Sequence, residues 1–143
     1  MDASAGRPLV PHGGTFSANP ITMAAGLASL RLLDATAHAH LDWLGELLRQ
    51  RVRAAIAAAG VPAQVTGMGS LFRLHLHDRL IRSYRDGHPT KAESRRMAAL
   101  FGFLLAHGIL TTPNVSGALS TPMTEAEVDE FVTVLEAGLK ATA

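Results

Sequence analysis

Ser70-Leu71-Phe72-Arg73-Leu74-His75-Leu76-His77 alternates from Phe72 onward: Phe72, Leu74 and Leu76 fall on one side, Arg73, His75 and His77 on the other. A period of two is the pleat of a β-strand, and apolar residues on one face only make it half-covered rather than buried in a parallel sheet. The fold class that follows is a small antiparallel sheet covered by helices, an α+β arrangement within the broad α/β group. Gly67 and Gly69 ahead of the strand predict a turn or bulge, with a short strand near residues 63–66 before it. Downstream, residues 109–112 and 118–121 read as two more short strands, joined through Pro113-Asn114-Val115-Ser116-Gly117.

Helices fill the space between. Asn19 followed by Pro20 is an N-cap with proline in the first helical position, where its missing N–H costs nothing. The helix it starts, to about residue 33, carries Ile21, Met23, Leu27, Leu30, Leu32 and Leu33 in nearly all directions, with Ala24, Ala25, Gly26 and Ala28 between them. It has no wet face, so another domain or chain should cover it. The second helix, residues 37–59, is amphipathic: Leu41, Leu44, Leu48, Val52, Ala55 and Ala59 step by three or four, while Asp42, Glu46, Arg49 and Arg53 lie elsewhere. Gly60 and Pro62 end it. Thr90 with Glu93, and Thr124 with Glu127, are capping boxes that open two further amphipathic helices. The expected order is ααββαββα, with residues 1–18 a leading loop and residues 19–143 one small domain with its leading helix.

Composition narrows the function classes. The chain has 143 residues, 48% hydrophobic and 17% charged, which excludes a disordered or coiled-coil chain. Thirteen Lys+Arg against 12 Asp+Glu, without a long run of one sign, leaves no footprint for nucleic acid or an anionic membrane. Cysteine is absent, so there is no disulfide scaffold, thiolate metal site or cysteine nucleophile. The longest apolar stretch, residues 98–106, is too short to span a bilayer, and the first residues carry no apolar signal core. The default is a cytoplasmic domain.

The richest chemical signal is His12-Gly13-Gly14-Thr15-Phe16-Ser17-Ala18-Asn19-Pro20. Two glycines let backbone approach a ligand, Thr15 and Ser17 add hydroxyls, and a helix N-terminus follows, which together can cradle an anion or simply cap the helix. It is not a Walker loop, because Gly-Lys-Ser/Thr is missing, and no Gly-x-Ser-x-Gly elbow occurs.

The segment Gly14-Thr15-Phe16-Ser17-Ala18-Asn19-Pro20-Ile21-Thr22-Met23-Ala24-Ala25-Gly26 resembles the start of the C-terminal part of class III aminotransferases, closest to the glutamate-1-semialdehyde 2,1-aminomutase branch. The likeness continues through Gly67-Met68-Gly69-Ser70-Leu71-Phe72, the His107-Gly108-Ile109-Leu110 corner and the helix beginning Thr124-Glu125-Ala126-Glu127, and so covers nearly the whole chain. It implies the C-terminal domain of a fold-type I transferase dependent on pyridoxal 5'-phosphate. The expected activity is transamination or amino-group migration on an amino acid or its semialdehyde. The resemblance further implies a partner large domain or neighbouring subunit, in a homodimer. In it, the threonine matching Thr15 hydrogen-bonds the cofactor phosphate held by the neighbouring subunit, and the glycine matching Gly14 shapes the loop. The helix after Asn19 packs on the large domain.

The same family attaches its cofactor to a lysine upstream of this segment. Here 14 residues precede Thr15 and none is lysine; the lysines are Lys91 and Lys140, neither at the family position. The expected catalytic set in this chain is therefore empty, and the chain alone is expected to be inactive. A second departure is Ser120-Thr121-Pro122-Met123, where the aminomutase branch usually has histidine, so aminomutase and transaminase both stay open. A non-catalytic binding or assembly module derived from that fold is the alternative.

Other candidates are assigned no site. His75 and His77, two apart on a strand, could share a metal, but spacing offers no third ligand and Arg73 would repel a cation, so they read as a solvated or interdomain strand face. His38 and His40 read as surface residues, His107 as a helix-end residue, Trp43 as packing, and Arg82, Arg85, Arg95 and Arg96 as a solvated face.

Overall fold

The computed structural model describes Gly14 and residues 16–142. Among them the elements run α1 (Pro20–Leu32), α2 (Ala35–Ala59), β1 (Gln64–Thr66), β2 (Leu71–His75), α3 (Lys91–Ala106), β3 (Ser116–Ala118) and α4 (Glu125–Ala141). The chain divides into two compact units with the boundary between Asp34 and Ala35.

The first unit contributes α1. Asn19 caps it as its sequence predicts, its side chain accepting from the Ile21 amide at 2.9 Å, with Pro20 in the first turn. None of its residues is buried, and Ile21, Met23, Leu27, Leu30 and Leu32 each keep more than half their surface open.

The second unit is the sheet and three helices. The strands run in the order β1-β2-β3, all antiparallel, with Val65 opposite Leu74 and Phe72 opposite Gly117. Phe72, Leu74 and Leu76 point into one core with Leu44, Leu48 and Val52 of α2, Leu100 and Leu104 of α3, and Val128, Leu135 and Leu139 of α4. The helix face and strand face read from the two periodicities are thus the buried ones. The Phe72 and Phe131 rings meet at 5.3 Å in a tilted pair. Where α3 packs on α4, Gly138 leaves room for Leu100 and Phe103; a Cβ there would lie 2.8 Å from Leu100 Cδ1. Arg51 ties α2 to α4 through Glu125, at 2.7 Å, and Asp129. Both capping boxes form: Glu93 N donates to Thr90 Oγ1 at 3.2 Å while Thr90 N donates to Glu93 Oε2 at 2.9 Å, and Thr124 N donates to Glu127 Oε2 at 2.7 Å.

Three details depart from the sequence reading. Residues 109–112 form no strand, and the last strand sits at Ser116–Ala118, ahead of its expected place, so the order is ααββαβα. The reason is local: Thr112 folds back on the chain, its N–H donating to Ser116 O at 3.2 Å and its hydroxyl bonding Asn114 and Ser116, while Val115 takes a φ of +47°. Such a φ is costly for a β-branched residue, and burying Val115 completely offsets it. Second, Arg49 is buried rather than on the wet face of α2: its Nη1 donates to Gly69 O at 2.8 Å and Leu71 O at 3.1 Å. Third, the Arg73-His75-His77 face is not solvated; both histidines are buried.

Candidate functional site

The loop before α1 is a tight turn. Ser17 N donates to Gly14 O at 3.0 Å, Asn19 N donates to Phe16 O at 3.3 Å, and Ala18 takes a φ of +59°. A Cβ on Gly14 would come within 2.8 Å of Ser17 Oγ, so the backbone there runs close to a neighbouring hydroxyl, as a phosphate loop does. The helix itself has little to add. Pro20 has no N–H and the Ile21 N–H is taken by Asn19, which leaves Thr22 as the remaining donor of the first turn. An anion at this end must therefore be held mainly by the loop's own amides and hydroxyls. Thr15, the residue singled out for that role, lies outside the described residues.

The second unit holds a cavity of about 210 Å³ that the sequence reading did not anticipate. The outer face of β2 and its extension supplies Arg73, His75 and His77, the connection after it Gly87 and Pro89, α3 Glu93, Ser94 and Met97, and the 112–116 turn Asn114. The connection is pinned by Asp86, whose Oδ2 accepts from Arg82 N at 3.0 Å and Ser83 N at 2.8 Å; these bonds hold its carboxyl below the usual range. His75 contacts Thr66 Oγ1 at 3.0 Å through Nε2. Burial, then the neighbouring Arg73 and His77 charges, push its pKa down, against a hydrogen bond to the Gly87 backbone that pushes it up. Burial and the Arg73 charge thus favour the neutral ring. Nothing among the described residues meets the buried Nε of Arg73 or Nε2 of His77.

The carboxylate lining this cavity, Glu93, is already engaged. Its Oε2 accepts from Arg79 Nη2 at 3.0 Å and from Thr90 N, and Arg79 Nη1 takes Oε1. Arg79 chiefly, with the Thr90 amide, holds its carboxyl at about 2. A carboxyl depressed in the folded state stabilises above its unfolded pKa and loses that contribution as pH falls through the folded value. Glu93→Gln should therefore lower stability by about 1–2 kcal/mol at pH 7, the size of a lost cap with its ion pair. The gap between variant and parent should close as pH falls from the ordinary carboxylate range toward 2. Urea melts at pH 7, 4.5 and 3 measure it, and a gap that did not shrink in acid would refute it.

Of the remaining singled-out residues, some hold structural contacts and others lie exposed. His40 is not a plain surface residue, since its Nε2 donates to Met123 O at 3.0 Å and its ring lies 5.9 Å from Trp43; His38 is exposed. His107 caps α3 and stacks on Phe103 at 4.1 Å. Arg96 Nε reaches Thr142 O at 3.4 Å, whereas Arg82, Arg85 and Arg95 stay exposed. Lys91 and Lys140 are both exposed, and Lys140 pairs with Glu136. No helix among the described residues is long and apolar enough to cross a membrane.

Loop, sheet and helices together recur in known proteins. No protein-family model matches the chain. It is 38% identical over 125 residues to beta-phenylalanine transaminase of Variovorax paradoxus, covering 87% of this chain and 28% of that protein. It is 35% identical over 142 residues to glutamate-1-semialdehyde 2,1-aminomutase of Opitutus terrae, covering 97% of this chain and 33% of that one. Among solved structures, an omega-transaminase from Sphaerobacter thermophilus superposes with a TM-score of 0.85 at 43% identity, over 99% of this chain and 32% of its own. A transaminase with PLP bound gives 0.74 at 37% identity, over 99% and 32%. The fold is that of the transaminases. More narrowly, the chain belongs with the class III aminotransferases, as a C-terminal portion. It spans about a third of the length of the relatives it matches.

Proposed function

We propose that this chain is the C-terminal domain of a pyridoxal-phosphate-dependent enzyme that moves an amino group, by transamination or by migration within one substrate. The observation that carries this reading is likeness in sequence and fold over nearly the whole chain to transaminases and an aminomutase, of which it spans about a third. In this reading residues 1–18 lead in from a large domain and residues 19–143 form the small domain. The large domain or a neighbouring subunit, in a homodimer, covers α1, whose open apolar sides support such a partner.

The residues present fit one end of the cofactor. When bound, pyridoxal phosphate supplies an electron sink for the carbanion formed at the substrate. The close backbone at Gly14 and the Ser17 hydroxyl support a loop that takes its phosphate, with Thr15 donating a hydroxyl to it across the dimer. Covalent attachment falls to the partner, because Lys91 and Lys140 are both exposed and Lys140 is paired with Glu136, and an exposed lysine ammonium with no activating pocket is a poor nucleophile at neutral pH. The chain incubated with pyridoxal phosphate and then borohydride should give no stoichiometric adduct at a single lysine, by peptide mapping. With a large domain that carries the attachment lysine, transaminase or aminomutase turnover should appear. A one-to-one adduct on Lys91 or Lys140, or a fitted large domain that binds and stays inert, would overturn the reading.

A further inference from the structure

We propose that the cavity bounded by β2, the 78–90 connection and the start of α3 binds the carboxylate of a small organic acid, with Arg73 and His77 as its ligands. Gln64 Nε2 gives its two hydrogens to His77 O at 3.0 Å and Arg79 O at 2.7 Å and lies 3.4 Å from His77 Nδ1; an amide NH₂ accepts nothing, so a proton on Nδ1 would have no acceptor there and belongs on Nε2. Nε2 is buried, on a residue with 4% of its surface exposed, and has no partner among the described residues. Arg73 Nε–H is the second buried donor without an acceptor, and Arg73 has no ion pair among the described residues. Two such donors on residues that line one cavity are costly to leave unmet, and orphaned groups of this kind mark a missing acceptor.

The cavity cannot supply that acceptor from its own carboxylate. Glu93 is held by Arg79 and by the Thr90 cap. Asn114 spends its Oδ1 on Ser116 Oγ, at 3.0 Å, and on Thr112, so the group it has left is an NH₂ donor. His75 lies beside them with its ring held by Thr66 and Gly87. The site is donor-rich and cationic, and a divalent cation would meet the Arg73 guanidinium; a planar carboxylate matches the fork of an arginine. Met97, Pro89 and Pro113 give the rest of the lining an apolar character, which suits an acid with a short hydrocarbon or ring body. The cavity has room for one such molecule.

The test needs neither cofactor nor turnover, so it stands or falls separately from the enzymatic reading. The ¹⁵N-labelled chain is titrated with benzoate while the Arg73 Nε–H and His77 ring resonances are followed. Both should shift saturably. Benzamide, the uncharged isostere, should bind at least tenfold more weakly, and Arg73→Gln should weaken benzoate at least tenfold. Should Arg73→Gln not fold, Arg73→Lys keeps a charge but removes the Nε donor, and should weaken benzoate by a similar factor. Shifts that never saturate, equal binding of benzamide, or full affinity in both Arg73 variants would overturn the site. So would a longer form of the enzyme in which benzoate does not bind and Arg73→Gln lowers Tm, since a protein carboxylate would then own the pair.

Discussion

Gly45→Ala should destabilise the second unit by about 3 kcal/mol, although alanine is the better helix former. In an open helix position the exchange would help by up to about 1 kcal/mol. At Gly45 it puts a Cβ 1.9 Å from Gly69 O and 2.9 Å from Gly69 C, which are backbone atoms of a turn and not the movable end of a side chain. That turn is itself tight, because a Cβ on Gly67 would lie 2.0 Å from Leu71 O and Gly69 has a φ of +55°. Moving α2 away also stretches the bonds from Arg49 Nη1 to the Gly69 and Leu71 carbonyls, leaving a buried guanidinium short of acceptors. Overpacking costs about 1–3 kcal/mol, and hydrogen bonds to a charged group about 1.5–3, so the losses exceed the propensity gain. Gly102→Ala in α3 is the control: nothing lies within 4 Å of its Cβ position, and the same substitution should stabilise by up to about 1 kcal/mol. Chemical denaturation of both variants measures the contrast. Gly45→Ala as stable as the parent would mean that α2 and the turn do not touch as described.

What the sequence disclosed, and what it hid, divides along the range of the interactions involved. The caps at Asn19, Thr90 and Thr124 are settled within four residues, so reading them needs no tertiary structure. The buried stripe of α2 and the inner face of β2 were legible because each follows one period over two or more turns or pleats. Arg49 was misread because its burial depends on carbonyls twenty residues away. The same holds for the outer face of β2. Alternation says only that Arg73, His75 and His77 share a side, and what closes over that side is Gly87, Pro89 and the first turns of α3. The strand expected at residues 109–112 failed for the opposite reason, since a threonine hydroxyl and a left-handed Val115 make a turn that β-propensity does not reveal. On the residues alone an anion cradle at Gly14 and Thr15 stood beside plain helix capping, since two glycines before a capped helix are a common combination; the resemblance chose between them.

Thr15 gives the largest effect expected on cofactor binding. In the assembled enzyme, Thr15→Val should weaken retention of pyridoxal phosphate roughly ten- to a hundredfold, which corresponds to a hydrogen bond of about 1.5–3 kcal/mol to a charged group. The structure sharpens the reason. A free helix N-terminus would share the phosphate among several amides, so removing one hydroxyl would cost little. At α1 proline removes the first of those amides, Asn19 occupies the second and Ser17 N is already spent on Gly14 O, so the first turn offers only Thr22 N. The load moves to the loop hydroxyls, and on this reading Thr15 bears most of it. Thr15→Ser keeps the hydroxyl and should restore affinity to within a few fold. In the chain without its large domain, neither substitution should matter to cofactor. The competing role is support of the turn into Asn19. Equilibrium dialysis of the reconstituted enzyme alongside its thermal melt separates the two. Lost affinity with an unchanged Tm, recovered by serine, assigns the phosphate contact, whereas unchanged affinity with a lowered Tm leaves Thr15 a turn residue.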